Sequence, residues 1–427
     1  MALVSAFLAV AAVAALRFPE ALFRAEFWAE DATEFFFESI ATGPRSLVTQ
    51  VYGYHFLLER AVAWAATALP VHATPFVYAW ASLFAGAGSM AYVTRSGFSW
   101  IAPHRWQRVL LAALLALAPG TADVLLNLSN LPNPLALLAF LLLVERPAVM
   151  RGARITVFAL VAMSSGHVLV WLPLAGYLAW RHRSAGHGAA ALIIAATAVV
   201  NAVGAHAAST AAGSFDLGGL ASVPSLFVEN AFARLIVAPF TGPSVAGVIQ
   251  VAPPTAYWPA VALGMLGVGA LLLRELRTDR EAGVALTLGC AGALGMLGLV
   301  ALSRSYNLPL LRRGSGSLLP DVRYAFLPAC MATLLWARIL QGPGPRPLAT
   351  LRGVAALLVG LQLAAGFPRR HARPDLDWPA RARWVALLLD LHRSTGQQVV
   401  IRMGDLAIHP RTWVPDNRRV AVVLPSR

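Results

Sequence analysis

Long apolar runs, each close to the length that crosses a lipid bilayer, follow one another along most of this chain. Only 13% of its 427 residues are charged, whereas a soluble domain has about 25%. A backbone inside a bilayer must satisfy its own hydrogen bonds, and helices do so. We therefore predict an all-α polytopic membrane protein and exclude an ordinary soluble enzyme. The runs are Met1–Leu16, Pro75–Val93, Val109–Leu126, Leu128–Val144, Ile155–Trp180, Ala189–Ala208, Tyr257–Leu273, Gly283–Leu302, Tyr324–Leu340 and Gly353–Phe367.

Two of these runs have more than one interpretation. Met1–Leu16 could be a cleaved signal peptide, but it lacks the basic segment that precedes one, so we favour an uncleaved span. Ile155–Trp180 is too long for one straight span and too short for two. Its polar centre, Ser164-Ser165-Gly166-His167, predicts a short hairpin of half-helices. Counting that hairpin as two helices, we expect about 11 transmembrane helices.

The distribution of arginine predicts how the runs are oriented. All 34 basic residues are arginine, and the formal net charge is +14. Such a charge is also found in nucleic-acid-binding proteins, but these arginines occur singly or in small groups between apolar runs. That pattern indicates cytoplasmic loops. The arginines of five such loops are Arg95, Arg105 and Arg108; Arg146, Arg151 and Arg154; Arg181 and Arg183; Arg274, Arg277 and Arg280; and Arg338, Arg346 and Arg352.

All five loops lie on one side only if Phe56–Leu69 does not cross the membrane. This short segment contains Glu59 and Arg60, so we predict a helix lying in the outer interface. The N-terminus is then cytoplasmic and the C-terminus extracytoplasmic. Abundant alanine and arginine without lysine are typical of a GC-rich bacterial genome, which predicts the bacterial plasma (inner) membrane as the location.

The chain divides into a predicted transmembrane domain, residues 1–367, and a small extracytoplasmic α/β tail, residues 368–427. Three further segments face outward on this topology: Arg17–Thr74, Gly213–Ala256 and Ser303–Arg323. The elements predicted in the tail are a helix Pro379–Ser394 and strands Gln398–Arg402 and Arg418–Leu424. Because the tail is too small to bury a large core alone, we expect it to pack on the outer loops.

The first outer loop, residues 17–74, concentrates acidic side chains. Four glutamates are spaced so that an α-helix would place them on one face: Glu26, Glu30, Glu34 and Glu38. One interpretation is an amphipathic interfacial helix with Trp28 and Phe35–Phe37 among the lipid headgroups. In that case Asp31 and Glu34 fit a helix capping box. The other interpretation is that an acid of this loop is a general base.

The outer loop Ser303–Arg323 is rich in arginine, against the usual bias of membrane proteins. Its arginines are Arg304, Arg312, Arg313 and Arg323. Arginine side chains bind phosphate groups well, because the guanidinium donates several hydrogen bonds. The phosphate of a lipid would lie just outside the hydrocarbon region, near Tyr306 and Tyr324. Alternatively, the arginines contact outer headgroups or the acidic first loop. An acid to deprotonate an acceptor and arginines to hold a phosphate leaving group together indicate glycosyl transfer from a lipid-phosphate sugar.

Four short motifs carry a resemblance to a known family. Phe27-Trp28-Ala29-Glu30-Asp31-Ala32-Thr33-Glu34-Phe35-Phe36 follows the first span, and Tyr52-Gly53-Tyr54-His55 and Arg60 come after it. Asn127-Leu128-Ser129-Asn130 opens a middle span, and Asp321-Val322-Arg323-Tyr324 opens a late one. In this order the motifs resemble those of the GT-C class of integral-membrane glycosyltransferases, in particular a bacterial subgroup.

The resemblance implies a polyprenyl-phosphate-sugar donor and transfer on the outer face of the membrane. It implies that an acid of the first loop is the base, and we favour Asp31 slightly over Glu30. The predicted donor-phosphate site comprises Arg304, Arg312, Arg313, Arg323 and Tyr324. Possible substrate-binding residues are Trp28, Tyr54, His55, Arg60 and His167. No spacing of a known metal site is present, although a divalent cation could assist the leaving group.

The acceptor is expected to be an extracytoplasmic glycan, lipid or protein of the cell envelope. A second interpretation is a transporter or flippase of lipid-linked sugars or other amphiphiles, since transporters also carry ionisable groups in the membrane. A third is a scaffold subunit of an envelope-polymer assembly. The sequence has no internal repeat, and its acids concentrate outside the span centres, so we favour the transferase.

Overall fold

The structure is a computed structural model in which most of the described residues are helical. It describes residues 2–23, 25, 27–28, 30–51, 53–118, 121–147, 150–209, 228, 232, 254–303, 322–341, 385–390, 399–402, 408–409 and 421–424. The predicted span Gly353–Phe367 and nearly all of the two later outer loops lie outside these residues.

The described helices fall largely within the predicted apolar runs. They are α1 (Ala2–Arg17), α2 (Pro19–Phe23), α3 (Glu38–Thr42), α4 (Leu57–Ala66), α5 (Thr74–Ala91), α6 (Arg105–Ala116), α7 (Thr121–Leu125), α8 (Pro132–Val144), α9 (Ala153–Ser164), α10 (Leu172–His182), α11 (Ala185–Ser209), α12 (Pro254–Thr278), α13 (Arg280–Ser303) and α14 (Val322–Gln341). A π-helix, Asp31–Phe37, precedes α3, and short 3₁₀ segments include Gly43–Val48 and Gly166–Trp171.

Three helical segments of the described chain are long and apolar enough to cross a membrane: Val71–Thr94, Ala185–Gly204 and Thr255–Thr278. Shorter apolar helices are Ala2–Arg17, Pro132–Val144, Ala153–Ser164 and Phe326–Gln341. These findings support a helical membrane protein, whereas the predicted number of about 11 spans is not established by the described helices.

One end of the helical bundle collects the arginine loops, and we call it the arginine end. Its ion pairs have N–O distances from 2.5 to 3.4 Å and join Arg95 to Glu145, Arg154 to Glu145, Arg146 to Asp279 and Glu281, and Arg338 to Glu275. His182 Nε2 lies 3.6 Å from Glu281 Oε2 at the same end. These contacts connect all five loops that the sequence predicted to share one side. The charge pattern therefore predicted their common location correctly.

The segment predicted to be a hairpin of half-helices does break at its polar centre. Helix α9 ends at Ser164, Ser165 is extended, and a 3₁₀ turn leads into α10. Arg154 at the start of α9 and His182 at the end of α10 both contact residues of the arginine end. The segment therefore begins and ends at the same end of the bundle. The Ser165 hydroxyl donates to the Pro132 carbonyl oxygen at 2.7 Å, which ties the break to the start of α8.

Aromatic residues of the first loop form part of the protein core. Phe27, Phe35, Phe36 and Phe37 are each about 1% exposed, and Phe27 packs against both Phe36 and Tyr78 of α5. Burying a phenylalanine side chain stabilises a fold by roughly 1.5–3 kcal/mol. The interpretation that placed Phe35–Phe37 among lipid headgroups is therefore wrong, because these rings are covered by protein.

Short strands connect the tail with the first loop. β1 (Phe27–Trp28) pairs in parallel with β3 (Ile408–His409), and the register places Trp28 opposite His409. β2 (Val399–Arg402) and β4 (Ala421–Leu424) pair antiparallel. The β1–β3 pairing joins the tail to the first loop, residues 17–74, and the structure describes only a few residues of the tail.

Candidate functional site

The acidic motif adopts an unusual local structure. Glu30 precedes the π-helix and makes no side-chain cap, while residues Asp31–Phe37 form its wide turns. A π-helix bonds each N–H group to a carbonyl five residues away rather than four, and of the four glutamates only Glu34 lies within it. Asp31 makes contacts with another part of the chain, and the predicted capping box of Asp31 and Glu34 stays a prediction.

Asp31 is anchored by the loop that connects α7 to α8. Its carboxylate accepts hydrogen bonds from the backbone N–H groups of Ser129 at 2.8 Å and Leu128 at 3.2 Å, and the residue is 2% exposed. Asn127 shapes that loop, because its Oδ1 accepts from the backbone N–H of Asn130 at 2.9 Å. Each carboxylate oxygen of Asp31 accepts from one of these two backbone donors. The first and third motifs of the resemblance therefore meet at this carboxylate.

Glu30 is adjacent to this anchored acid and is half-buried, so it is the more accessible of the two candidate bases. Both acids lie at the end of the bundle opposite the arginine end, beside the strand pair that involves Trp28. The side chain of Trp28 lies outside what the structure describes. Among the described residues, no group of three His, Cys, Asp or Glu side chains could hold a metal ion.

Arg60 holds the π-helix in place from α4. Its guanidinium is fully buried and donates to the Glu34 carbonyl oxygen at 2.5 Å and to Glu38 Oε2 at 2.6 Å. It also lies over the Phe35 ring, 5.2 Å from the centroid. A guanidinium with these contacts positions the acidic segment, and a role of Arg60 in substrate binding stays a prediction.

Glu59 precedes Arg60 but does not pair with it. The residue is fully buried, and neither carboxylate oxygen has a hydrogen-bond partner in the described part of the chain. Burial raises the pKa of Glu59 well above its ordinary value, because the charged form is poorly solvated there. The opposing effects of its own backbone and of Arg60 are smaller.

The remaining predicted residues lie near the broken segment. Gly53, with φ of +83°, allows the turn in which Val51 and Tyr54 pair. The Tyr54 ring lies so close to Gly166 that a β-carbon there would be 2.4 Å from the ring. Partial burial lowers the pKa of His55, whose backbone N–H donates to Asn201 of α11. His167 follows Gly166 in the 3₁₀ turn and is half-buried.

Of the five residues of the predicted phosphate site, the structure describes only the backbone of Arg323 and Tyr324, in helix α14. Arg304, Arg312 and Arg313 lie outside the described residues, as do the side chains of Arg323 and Tyr324. Helix α14 begins at Val322, just before these last two residues, and its 20 residues make it about 30 Å long. Its other end carries a residue of the arginine end, and α14 also packs on α7. The start of α14 thus lies toward the acidic motif, whereas contact between the arginines and the acids stays a prediction.

Two features of the site were not identified from the sequence. The first is the backbone anchor at Leu128 and Ser129, although the polar segment before α8 was noted. The second is Tyr78, which is within electrostatic range of Asp31 and Arg60. The signal that could have identified Tyr78 is a row of hydroxyl residues spaced by four in an otherwise apolar helix.

A cavity of about 240 Å³ borders the π-helix and α3. Phe36 and Ile40 line it from the first loop, and Ala386, Leu389 and Asp390 line it from the tail. The tail therefore covers the acidic segment at two places, here and at the β1–β3 pair. No protein-family model, curated protein or solved structure matches the chain.

Proposed function

We propose that the protein is a membrane glycosyltransferase of GT-C type, which transfers a sugar from a polyprenyl-phosphate donor to an extracytoplasmic acceptor. The observation that carries this proposal is the position of Asp31. Motifs that are about 100 residues apart in the chain meet at its carboxylate, 2.8 Å from the Ser129 nitrogen and 3.2 Å from the Leu128 nitrogen. A general base must be held in a fixed position relative to the reacting hydroxyl, and such anchoring provides that.

In this mechanism Asp31 or Glu30 removes the proton of the acceptor hydroxyl as its oxygen attacks the anomeric carbon. The bond between that carbon and the donor phosphate oxygen breaks, and the polyprenyl phosphate leaves with the electron pair. Arg304, Arg312, Arg313 and Arg323, with Tyr324, stabilise the negative charge that develops on the phosphate. The described acids lie opposite the arginine end, so an outer-face reaction requires the arginine end to be cytoplasmic.

A second candidate function is a carrier of lipid-linked sugars. The specific observation that favours it is the break between α9 and α10, because transporters commonly bind substrates where helices are discontinuous. A carrier needs the ligand to bind but does not need a base. Substitution of the acids therefore distinguishes the two functions.

The test is mass spectrometry of membrane lipids and envelope glycans from cells that lack the protein, express wild type, or express Asp31→Asn or Glu30→Gln at matched levels. If the proposal is correct, only wild type adds a sugar to an acceptor, and an acidic variant accumulates the polyprenyl-phosphate sugar. The matched control is Glu145→Gln, which changes a buried carboxylate at the arginine end. Glu145→Gln should reduce sugar transfer by no more than the accompanying decrease in the amount of folded protein. Wild-type behaviour of both acidic variants would make the carrier the better proposal.

A further inference from the structure

Helix α5 carries three hydroxyl residues on one face, at a spacing of four residues. They are Thr74, Tyr78 and Ser82, with exposures of 0%, 1% and 0%. Within the described part of the chain, none of the three hydroxyl groups has a hydrogen-bond partner. Residues four apart lie above one another on a helix, so these three side chains share one face of α5, and we call the set the hydroxyl row.

Other hydroxyl residues in the helices of this protein behave differently. Ser89, later in α5, donates to the Ala85 carbonyl oxygen at 2.8 Å, and Thr197 of α11 donates to Ile193 at 2.9 Å. Bonding to a carbonyl one turn earlier is the usual way for a helical serine or threonine to be satisfied. Ser82 does not make this bond. Because a buried hydroxyl without a partner is destabilising, three in one row indicate groups retained to bind something else.

The hydroxyl row begins beside the acidic motif. The Tyr78 ring packs edge-on against Phe27, with centroids 5.6 Å apart, and Phe27 lies in the strand just before Glu30 and Asp31. The Tyr78 hydroxyl is also within electrostatic range of Asp31 and Arg60. A ligand bound along the row would therefore reach the proposed base.

We propose that the hydroxyl row binds the sugar of the lipid-linked ligand, with Tyr78 as the member closest to the reacting atoms. A hydroxyl can donate and accept at the same time, which matches the donors and acceptors around a sugar ring better than a charged side chain does. This assignment rests on the proposed function for the identity of the ligand. The row is covered in the structure, so the ligand reaches Tyr78 when the Phe27 ring turns aside while the backbone contacts that hold the acidic segment persist.

The experiment measures binding to the purified full-length chain in detergent. The probes are farnesyl phosphate alone and a panel of farnesyl-phosphate hexoses and pentoses. Wild type should bind at least one sugar-bearing probe more tightly than farnesyl phosphate. Tyr78→Phe should reduce that advantage about five- to tenfold, the effect of one lost hydrogen bond, and leave the affinity for farnesyl phosphate unchanged.

The matched control is Tyr92→Phe, the same substitution at the arginine end. The Tyr92 hydroxyl donates to Glu145 at 2.6 Å, so its loss should lower the melting temperature without altering the affinity for either probe. Tyr78→Phe, in contrast, removes a hydroxyl without a partner and should leave the melting temperature unchanged or raise it. This difference separates a role in binding from a role in folding.

The inference is overturned if wild type binds both kinds of probe equally well. It is also overturned if Tyr78→Phe weakens both kinds equally or weakens neither. Sugar discrimination that depends on Tyr78, without transfer to any acceptor, supports the hydroxyl row but contradicts the transferase. The failure of one proposal is therefore distinguishable from the failure of the other.

Discussion

The anchoring of Asp31 predicts that this residue affects stability as well as activity. Asp31→Asn keeps one carbonyl oxygen as an acceptor, but its amide nitrogen faces a second backbone donor. One of the bonds to Leu128 and Ser129 is then lost, and that N–H group is left buried. A hydrogen bond to a charged group contributes about 1.5–3 kcal/mol, and an unsatisfied buried donor adds about 1–3 kcal/mol. We expect a total loss of about 3 kcal/mol.

Hydrogen exchange of the backbone around residues 127–131, followed by mass spectrometry, measures this effect directly. The loss corresponds to exchange about 100-fold faster in Asp31→Asn, because 1.4 kcal/mol is a factor of about ten. Over 427 residues, an unfolding entropy of about 2.1 cal/mol/K per residue converts the loss into a melting-temperature decrease of roughly 3 °C. Glu30→Gln is the control, since a half-buried neighbour without this anchor should change stability by less than about 0.5 kcal/mol.

The reasoning is refuted if Asp31→Asn leaves exchange at residues 127–131 unchanged, or if Glu30→Gln accelerates it equally. Either result would mean that the Asp31 carboxylate does not hold the α7–α8 loop. The result also determines how activity is interpreted. A transfer rate measured for Asp31→Asn must be corrected for the fraction of folded protein, whereas the rate for Glu30→Gln needs no such correction.

Three further predictions concern other contacts. Arg60→Met breaks the buried ion pair with Glu38 and should lower the free energy of unfolding by about 3 kcal/mol. This value is near the low end of the range for buried pairs, because the Glu38 side chain is 26% exposed. Chemical denaturation measures the loss. The raised pKa of Glu59 makes wild-type stability fall as pH rises from the unfolded-state pKa of about 4.5 to the folded-state pKa. Glu59→Gln does not titrate, so its stability relative to wild type should increase by about 1.4 kcal/mol per pH unit in this range. Melting curves of both proteins at pH 5, 6 and 7 test this prediction. Gly97→Ala would place a β-carbon 2.4 Å from the Arg146 carbonyl oxygen and should destabilise the folded protein by about 1–3 kcal/mol. Gly176→Ala is the control, because the space around Gly176 is open, and it should be neutral or stabilising in the same melting assay.

The general organisation of the molecule was accessible from the sequence because it depends on local properties. Apolar runs gave the helical class, and the positions of arginines such as Arg95, Arg146 and Arg338 predicted loops that meet at one end. The polar break at Ser164–His167 predicted the interruption between α9 and α10. In each case a short stretch of residues carries the whole signal.

The contacts of the candidate site were not accessible in that way. Arg60 pairs with Glu38, 22 residues away, and Asp31 bonds to an N–H group 98 residues away. A sequence pattern does not reveal which distant group satisfies a buried charge. The π-helix was also missed, because a spacing of four residues predicts an α-helical face and the wider turn is set by the surrounding contacts.

Three independent contacts fix the acidic segment from three directions. The Trp28–His409 pairing holds it from the tail, the Ser129 N–H group holds Asp31 from the α7–α8 loop, and Arg60 holds the π-helix from α4. A solvated interfacial helix needs none of these contacts, because lipid headgroups and water would satisfy its charges and its orientation could vary. A base that must meet one hydroxyl at one distance needs its backbone fixed, and positional errors near 1 Å reduce rates about 100-fold. Loosening any one of the three contacts should therefore slow transfer by more than the loss of folded protein explains, whereas a carrier would be affected only through its stability.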